Sequence, residues 1–155
     1  MVRFRNDRLP RDAYTESGRP SFITVRAYRR QRPFTRQEIN DAIVGELLAE
    51  RTRSRCDLYA FCLMPDHLHV LAAPRMDGAS VLRFVDRFKG LSTSISWQLG
   101  WHGKLWQPRY YDHVLRSDEQ LDRVCEYIVA NPVRAGLAED PAGYRWCKLV
   151  DLPPE

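Results

Sequence analysis

The 155-residue sequence has no Cys-x-x-Cys pair, little lysine beside its arginine, only four histidines and no apolar run of transmembrane length. Each scarcity removes a class of protein. Cys56, Cys62, Cys125 and Cys147 are too scattered for a zinc ribbon, so free buried thiols in a reducing compartment are expected. No stretch approaches the twenty or so apolar residues that cross a bilayer, so no membrane partner is expected. Met1-Val2-Arg3-Phe4-Arg5 has no apolar stretch behind it. No signal peptide is therefore expected, and the expected location is cytoplasmic, nucleoid-associated if the source is bacterial. Repeats and low-complexity segments are also missing. The hydrophobic fraction of 44% and the four tryptophans argue against disorder. This length fits one domain with a real core.

What is abundant is arginine. Net charge is +4 and the sequence pI about 9.0. Guanidinium forks match phosphate oxygens, so a polyanionic partner is expected, although an ordinary basic protein carries the same charge.

The scarce histidines matter because two stand together. Residues 58–74 are two apolar runs broken by Met64-Pro65-Asp66, a proline-aspartate turn. The second run opens with His67-Leu68-His69. Alternate residues of a strand share a face, so His67 and His69 lie together and Leu68 opposite. Two imidazoles on a rigid strand can grip one divalent metal. A lone motif of this kind reads more simply as two half-exposed strand histidines. Their place in the most apolar part of the chain weighs against that.

Around this centre the pattern is layered. Residues 1–20, broken by Pro10, Gly18 and Pro20, read as a flexible or loosely draped N-terminal arm, and 21–152 as one catalytic domain. Residues 21–28 alternate and are β-rich, hence a strand, and Arg29, Arg30 and Arg32 follow in a loop. Thr35 with Glu38 three residues on predicts a capping box for a helix over 36–51, striped by Ile39, Ile43 and Leu47. A helix beginning at Ser80 carries Val81, Phe84, Val85 and Phe88 as its stripe. Arg83, Arg87 and Lys89 lie off it, as phosphate contacts or as a solvated face. Residues 99–109 interleave rings with cations, a mixture that stacks bases and holds their backbone; a tryptophan-anchored core loop fits equally. Lys104, Trp106 and Arg109 are its candidates. A strand over 110–116 follows. Ser117 and Gln120 then mark a helix over 118–130, and Gly136 ends the turn after it. The order strand, helix, strand, strand, helix, strand, helix predicts an α+β domain: a ferredoxin-like antiparallel sheet with helices packed mainly on one face.

A strand-borne His-x-His with a helical tyrosine suggests phosphoryl chemistry. A metal there would polarise a phosphate oxygen, and a tyrosine oxygen would attack. Tyr127 is the candidate nucleophile, at the edge of the stripe Leu121, Val124, Cys125, Ile128. Asn131, one turn on, offers an amide oxygen as a further metal ligand. Asn131 precedes proline, so it is expected either on that helix or capping a new turn.

Three segments carry a resemblance: Phe61-Cys62-Leu63-Met64-Pro65-Asp66-His67-Leu68-His69, residues 106–116 from Trp106 to Arg116, and residues 127–137 from Tyr127 to Leu137. In this order they resemble the REP-associated tyrosine transposases, single-tyrosine transposases of the HUH superfamily. The likeness runs from about Phe22 to Trp146. It implies a metal-dependent single-stranded DNA endonuclease and strand transferase. Such an enzyme cleaves beside hairpins of repetitive palindromic DNA and leaves a 5′-phosphotyrosine and a free 3′-hydroxyl. By the same motifs, the resemblance implies Mg²⁺ or Mn²⁺ as cofactor, His67, His69 and Asn131 as its ligands, and Tyr127 as nucleophile. Arg134, in the third segment, joins the candidate DNA contacts. The expected partner is a single-stranded DNA hairpin, and the protein a monomer or homodimer. The alternative is a domesticated hairpin-binding protein without transposition activity.

Overall fold

In the computed structural model residues 8–116 and 118–152 are described. The alternating stretch after Pro20 forms β1 (Ser21–Arg26), and the capped helical stretch forms α1 (Gln37–Arg53). The two apolar runs are β2 (Cys56–Met64) and β3 (His67–Pro74), joined by the Pro65-Asp66 turn. Next come α2 (Val81–Gln98), β4 (Tyr111–Val114), α3 (Asp118–Val129), the short α4 (Asn131–Arg134) and β5 (Cys147–Leu149). All strand pairs are antiparallel, in the order β4-β1-β3-β2-β5. The first four strands with α1 and α2 make the expected ferredoxin-like α+β arrangement.

The sheet is buried on both faces, and strand alternation decides which residue goes where. Ile23, Val25, Phe61, Leu63, Leu68 and Val70 point towards α1 and α2. There they meet the predicted stripes, Ile39, Ile43 and Leu47 of α1 and Phe84, Val85 and Phe88 of α2. Each such buried side chain contributes roughly 1.5–3 kcal/mol relative to leaving it in water. Phe22, Leu71, Ala73 and Tyr59 face the other way, against Leu121, Val124, Cys125 and Ile128 of α3. Helices therefore sit mainly on one face, and α3 covers part of the other. A register shift between Leu58 and Ala60 lets Tyr59 and Ala60 both face α3 before alternation resumes.

One expectation is corrected, at the start of α1. The N-cap of α1 is Arg36, with no side-chain cap bond, so Thr35 forms no capping box. The Arg36 guanidinium instead binds Glu38 at 3.0 Å and the Leu99 carbonyl at 3.0 Å. The segment after Trp146 supplies an edge strand, β5, paired with Ala60–Cys62. Residues 8–20 lie against the domain, which is the draped form of the expected arm. Tyr14 is 1% exposed, and its hydroxyl bonds the buried Asp112. The Gly18 amide donates to the Pro74 carbonyl at 2.8 Å. Residues 1–7 of the expected arm, and Ser117 as a helix start, lie outside the described residues.

Candidate active site

The site grows from one row of paired strand residues. Thr24 of β1 stands opposite His69 of β3, and Arg26 opposite His67. Directly paired residues share a face, and this is the face that α3 covers. Thr24 and Arg26 thus sit beside the two imidazoles.

The Pro65-Asp66 turn is held from outside the strands. The Ala27 amide donates to the Asp66 carbonyl at 2.8 Å, and the Phe34 amide to the Pro65 carbonyl at 3.1 Å. The loop between them carries Arg29 and Arg30 at φ 52° and 57°. A left-handed conformation costs a side-chain-bearing residue about 1–2 kcal/mol. The bonds and packing at both ends of the loop sustain that cost.

Each imidazole is oriented through Nδ1. His67 Nδ1 lies 2.7 Å from Asp66 Oδ1, and His69 Nδ1 lies 2.8 Å from Thr24 Oγ1. The two Nε2 atoms then face each other at 3.2 Å. The rings are edge to face, centroids 4.7 Å apart. Burial pushes the His69 pKa down to about 3, with His67, Arg26 and Arg134 adding to the shift. His69 is thus neutral near neutral pH, the form that binds metals.

These residues fit a divalent cation. Metal–nitrogen bonds of about 2.1 Å to atoms this far apart would meet at roughly 100°, between the tetrahedral and octahedral values. The Asp66 carboxylate at His67 Nδ1 would hold that imidazole in orientation if its Nε2 bound a metal. Among the described residues no third histidine, cysteine, aspartate or glutamate joins the pair. Further ligands are then left to neutral oxygens, water or substrate.

Tyr127 reaches this pair from α3. Its ring lies 5.9 Å from His69 and 6.1 Å from Phe22, edge to face in both cases. It is 37% exposed, resting on the core with an open side. The Arg134 guanidinium sits 4.3 Å from the Tyr127 ring centroid, and Nη2 donates to the Tyr127 carbonyl at 2.9 Å. Asn131 opens α4 one turn on and donates Nδ2 to the same carbonyl at 3.2 Å. His67, His69, Tyr127 and Arg134 are thus brought to one place, with Asn131 beside Tyr127.

The remaining candidates scatter. Arg83 and Arg109 are exposed. Arg87 Nε donates to the buried Glu50 at 2.8 Å. Lys89 is turned inwards, donating to the Gln107 and Pro108 carbonyls at 2.7 and 3.1 Å, and burial lowers its pKa. Lys104 Nζ lies 5.2 Å from the Tyr28 ring centroid.

Trp106 is corrected from base-stacking candidate to core residue. It is 5% exposed, packs against Phe34 and Phe88 at 4.8 and 5.8 Å, and donates its indole N–H to Ser92 at 2.9 Å. A ring enclosed on both sides has no face for a base. Trp106→Ala is accordingly expected to cost about 3–5 kcal/mol of stability, measured by urea denaturation. Hairpin affinity of the folded fraction should stay unchanged.

Sequence reading missed Thr24, Arg26 and Asp66 as parts of this centre. Asp66 was visible as His67's neighbour. Thr24 and Arg26 needed the register of β1 against β3, which no local pattern carries.

An imidazole pair and a helical tyrosine thus share one sheet face, and comparison with known proteins shows the family to which a chain with this face belongs. The family described as "Transposase IS200 like" matches residues 16–131, and the chain belongs to that family. It is 28% identical over 106 residues to a Haemophilus influenzae protein provisionally named a REP-associated tyrosine transposase, covering 56% of this chain and 58% of that one. Over 81 residues it is 26% identical to the REP-associated tyrosine transposase of Escherichia coli K12, covering 52% and 46%. The chain thus spans about half the length of the curated relatives it matches. The fold is that of a REP-associated tyrosine transposase solved bound to a REP hairpin, at TM-score 0.73 and 18% identity, over 100% of this chain and 93% of that one. The family resemblance carried by the three motifs is borne out.

Proposed function

We propose that the protein is a metal-dependent endonuclease and strand transferase that cuts single-stranded DNA beside a hairpin and holds the cut end on Tyr127. One observation carries the reading: Tyr127 projects from α3 to 5.9 Å from His69, whose partner His67 is 3.2 Å away between Nε2 atoms. A protein that only bound hairpins would have no use for a tyrosine ring packed edge to face against an imidazole pair.

His67 and His69, with Asn131 as third ligand, would hold Mg²⁺ or Mn²⁺, which when bound withdraws charge from the scissile phosphate. Asp66 and Thr24 fix the imidazole rings so that both Nε2 atoms face the phosphate site. Arg26 beside His67 and Arg134 beside Tyr127 supply positive charge where the phosphodiester must lie. Arg134 and Asn131 both hold the Tyr127 carbonyl and so fix the end of α3. The Tyr127 oxygen bonds to phosphorus while the bond to the 3′ oxygen breaks. One proton passes, net, from the phenol to the departing 3′-hydroxyl. Strand transfer reverses this with a different 3′-hydroxyl. The protein acts in the cytoplasm, where its thiols stay reduced.

The test is a denaturing gel with an oligonucleotide labelled on one side of the cut or the other. Label 3′ of the cut should migrate with protein, and label 5′ of it should run as shorter free DNA. Absence of any protein-linked label would overturn the proposal. A second expectation concerns affinity. A hairpin with a single-stranded flank should bind better than a blunt duplex of the same sequence, and both should weaken steeply with salt. Equal affinity at moderate salt would remove single-strand recognition from the account.

A further inference from the structure

We propose that an arginine trough at the far end of the sheet holds the backbone of a paired DNA stem, while the centre described above acts on the unpaired strand. The inference rests on the nucleic-acid reading just given. Two adjoining cavities of about 620 and 700 Å³ share Ser80, Arg83 and Arg87. Among the described residues six arginines line them: Arg8, Arg11, Arg53, Arg55, Arg83 and Arg87. They come from the segment before β1, the end of α1, the start of β2 and the first turns of α2. The trough lies where β2 begins and β3 ends, and there the Arg75 amide donates to the Arg55 carbonyl at 2.9 Å. His67 stands at the opposite end of β3. A strand of 8 residues puts roughly 25 Å between them.

How the arginines are held decides what the trough can do. Glu50 is fully buried and accepts from Arg53 Nε, Arg87 Nε and the Ser54 hydroxyl. Burial alone would raise its pKa, but these bonds hold the carboxyl below its ordinary value. Arg8 is anchored in the same way, Nε donating at 3.2 Å to Asp112, which is 1% exposed. In Arg8 and Arg87 the buried carboxylate takes Nε alone, and among the described residues the Nη nitrogens have no hydrogen-bond partner. A guanidinium fixed at its inner edge presents its end-on fork, which fits two oxygens of one phosphate. Arg11 and Arg83 have no ion pair among the described residues, so they face the trough with full charge. Asp77 and Asp86 also line it, and Asp77 is occupied by the Ser17 amide at 3.1 Å.

Among the described residues no aromatic ring lines either cavity. Unpaired bases are held by stacking on rings. A wall of guanidinium forks without rings holds phosphates and leaves the bases unread. A paired stem, whose bases are turned inwards, has that requirement. At about 3.4 Å per base pair, roughly seven pairs span the distance from the trough to the histidine pair. One hairpin with a flank can therefore occupy both.

The test compares the wild-type chain with Arg11→Ala/Arg83→Ala, using a fluorescent hairpin carrying a single-stranded flank and the flank alone. Neither arginine has an ion-pair partner among the described residues to leave behind, so the melting temperature should not move. Hairpin affinity should fall about tenfold, and the slope of log affinity against log salt should flatten by about two, while flank affinity stays the same. A single Arg83→Glu should lower hairpin affinity at least as far. Equal losses on both probes, or an unchanged salt slope, would overturn the trough. Covalent capture of the flank separates the two readings. Capture by both proteins with an unchanged hairpin slope overturns the trough alone. No capture even by the wild type overturns the reading beneath it.

Discussion

Replacing Tyr127 with phenylalanine is expected to abolish the covalent DNA adduct, lowering it more than about 10³-fold, and to leave the fold and hairpin affinity intact. The change removes one oxygen and keeps the ring. The edge-to-face contacts with Phe22 and His69 survive, as does the Arg134 cation over the ring. Tyr127 is partly exposed, so losing its hydroxyl leaves no buried polar gap. The two other tyrosines of the motif region are placed differently. Tyr110 is 9% exposed between Arg8 and Lys89, and burial pushes its pKa above the ordinary value. Tyr111 sits edge-on to Phe22 and pairs with Thr24 across the sheet, and burial pushes its pKa up to about 12. Tyr110→Phe and Tyr111→Phe should each keep the adduct, read on a denaturing gel with labelled hairpin DNA.

The second large effect is expected at the histidine pair. His67→Ala/His69→Ala should reduce cleavage below detection, and excess chelator should do the same to the wild type. Hairpin binding should persist in both cases, because it rests on cations elsewhere. The double variant also pays a structural cost. His69 is buried, and its loss leaves Thr24 Oγ1 without its partner at 2.8 Å, a penalty of about 1–3 kcal/mol. His67→Ala alone separates chemistry from stability, since His67 is half-buried at the strand end. It should cleave as poorly as the double variant while melting close to the wild type. Cleavage by the double variant would remove the metal from the mechanism.

How much of this was legible in the sequence depends on the range of the interactions. The order of strands and helices was readable, because β1, α1, β2, β3, α2 and α3 each carry their own periodicity and breakers. The three-residue β5 was not, since Cys147–Leu149 is too short to show alternation and is a strand only because β2 offers it an edge. The cap of α1 misled because Thr35 and Glu38 have the right spacing, yet Glu38 is taken by Arg36. At the site, His67, His69 and Tyr127 were visible by type and spacing. Thr24 and Arg26 became visible only through strand register, and Arg134 over Tyr127 only through the turn of α4. Trp106 shows the converse. Rings among cations read equally as a base platform or as a core anchor, and the hydrogen bond to Ser92 and the flanking Phe34 and Phe88 decide it.

The central claim, that Tyr127 becomes covalently joined to DNA at the histidine pair, has one most direct test. Wild-type protein is incubated with a hairpin oligonucleotide and magnesium, the mixture is digested with a protease, and the DNA-bearing peptide is mapped by mass spectrometry. One modified peptide is expected, with the phosphate on Tyr127, formed only with a divalent cation present. A DNA-linked peptide bearing its phosphate on Tyr110 or Tyr111, or on Tyr127 with every divalent cation removed, would contradict it.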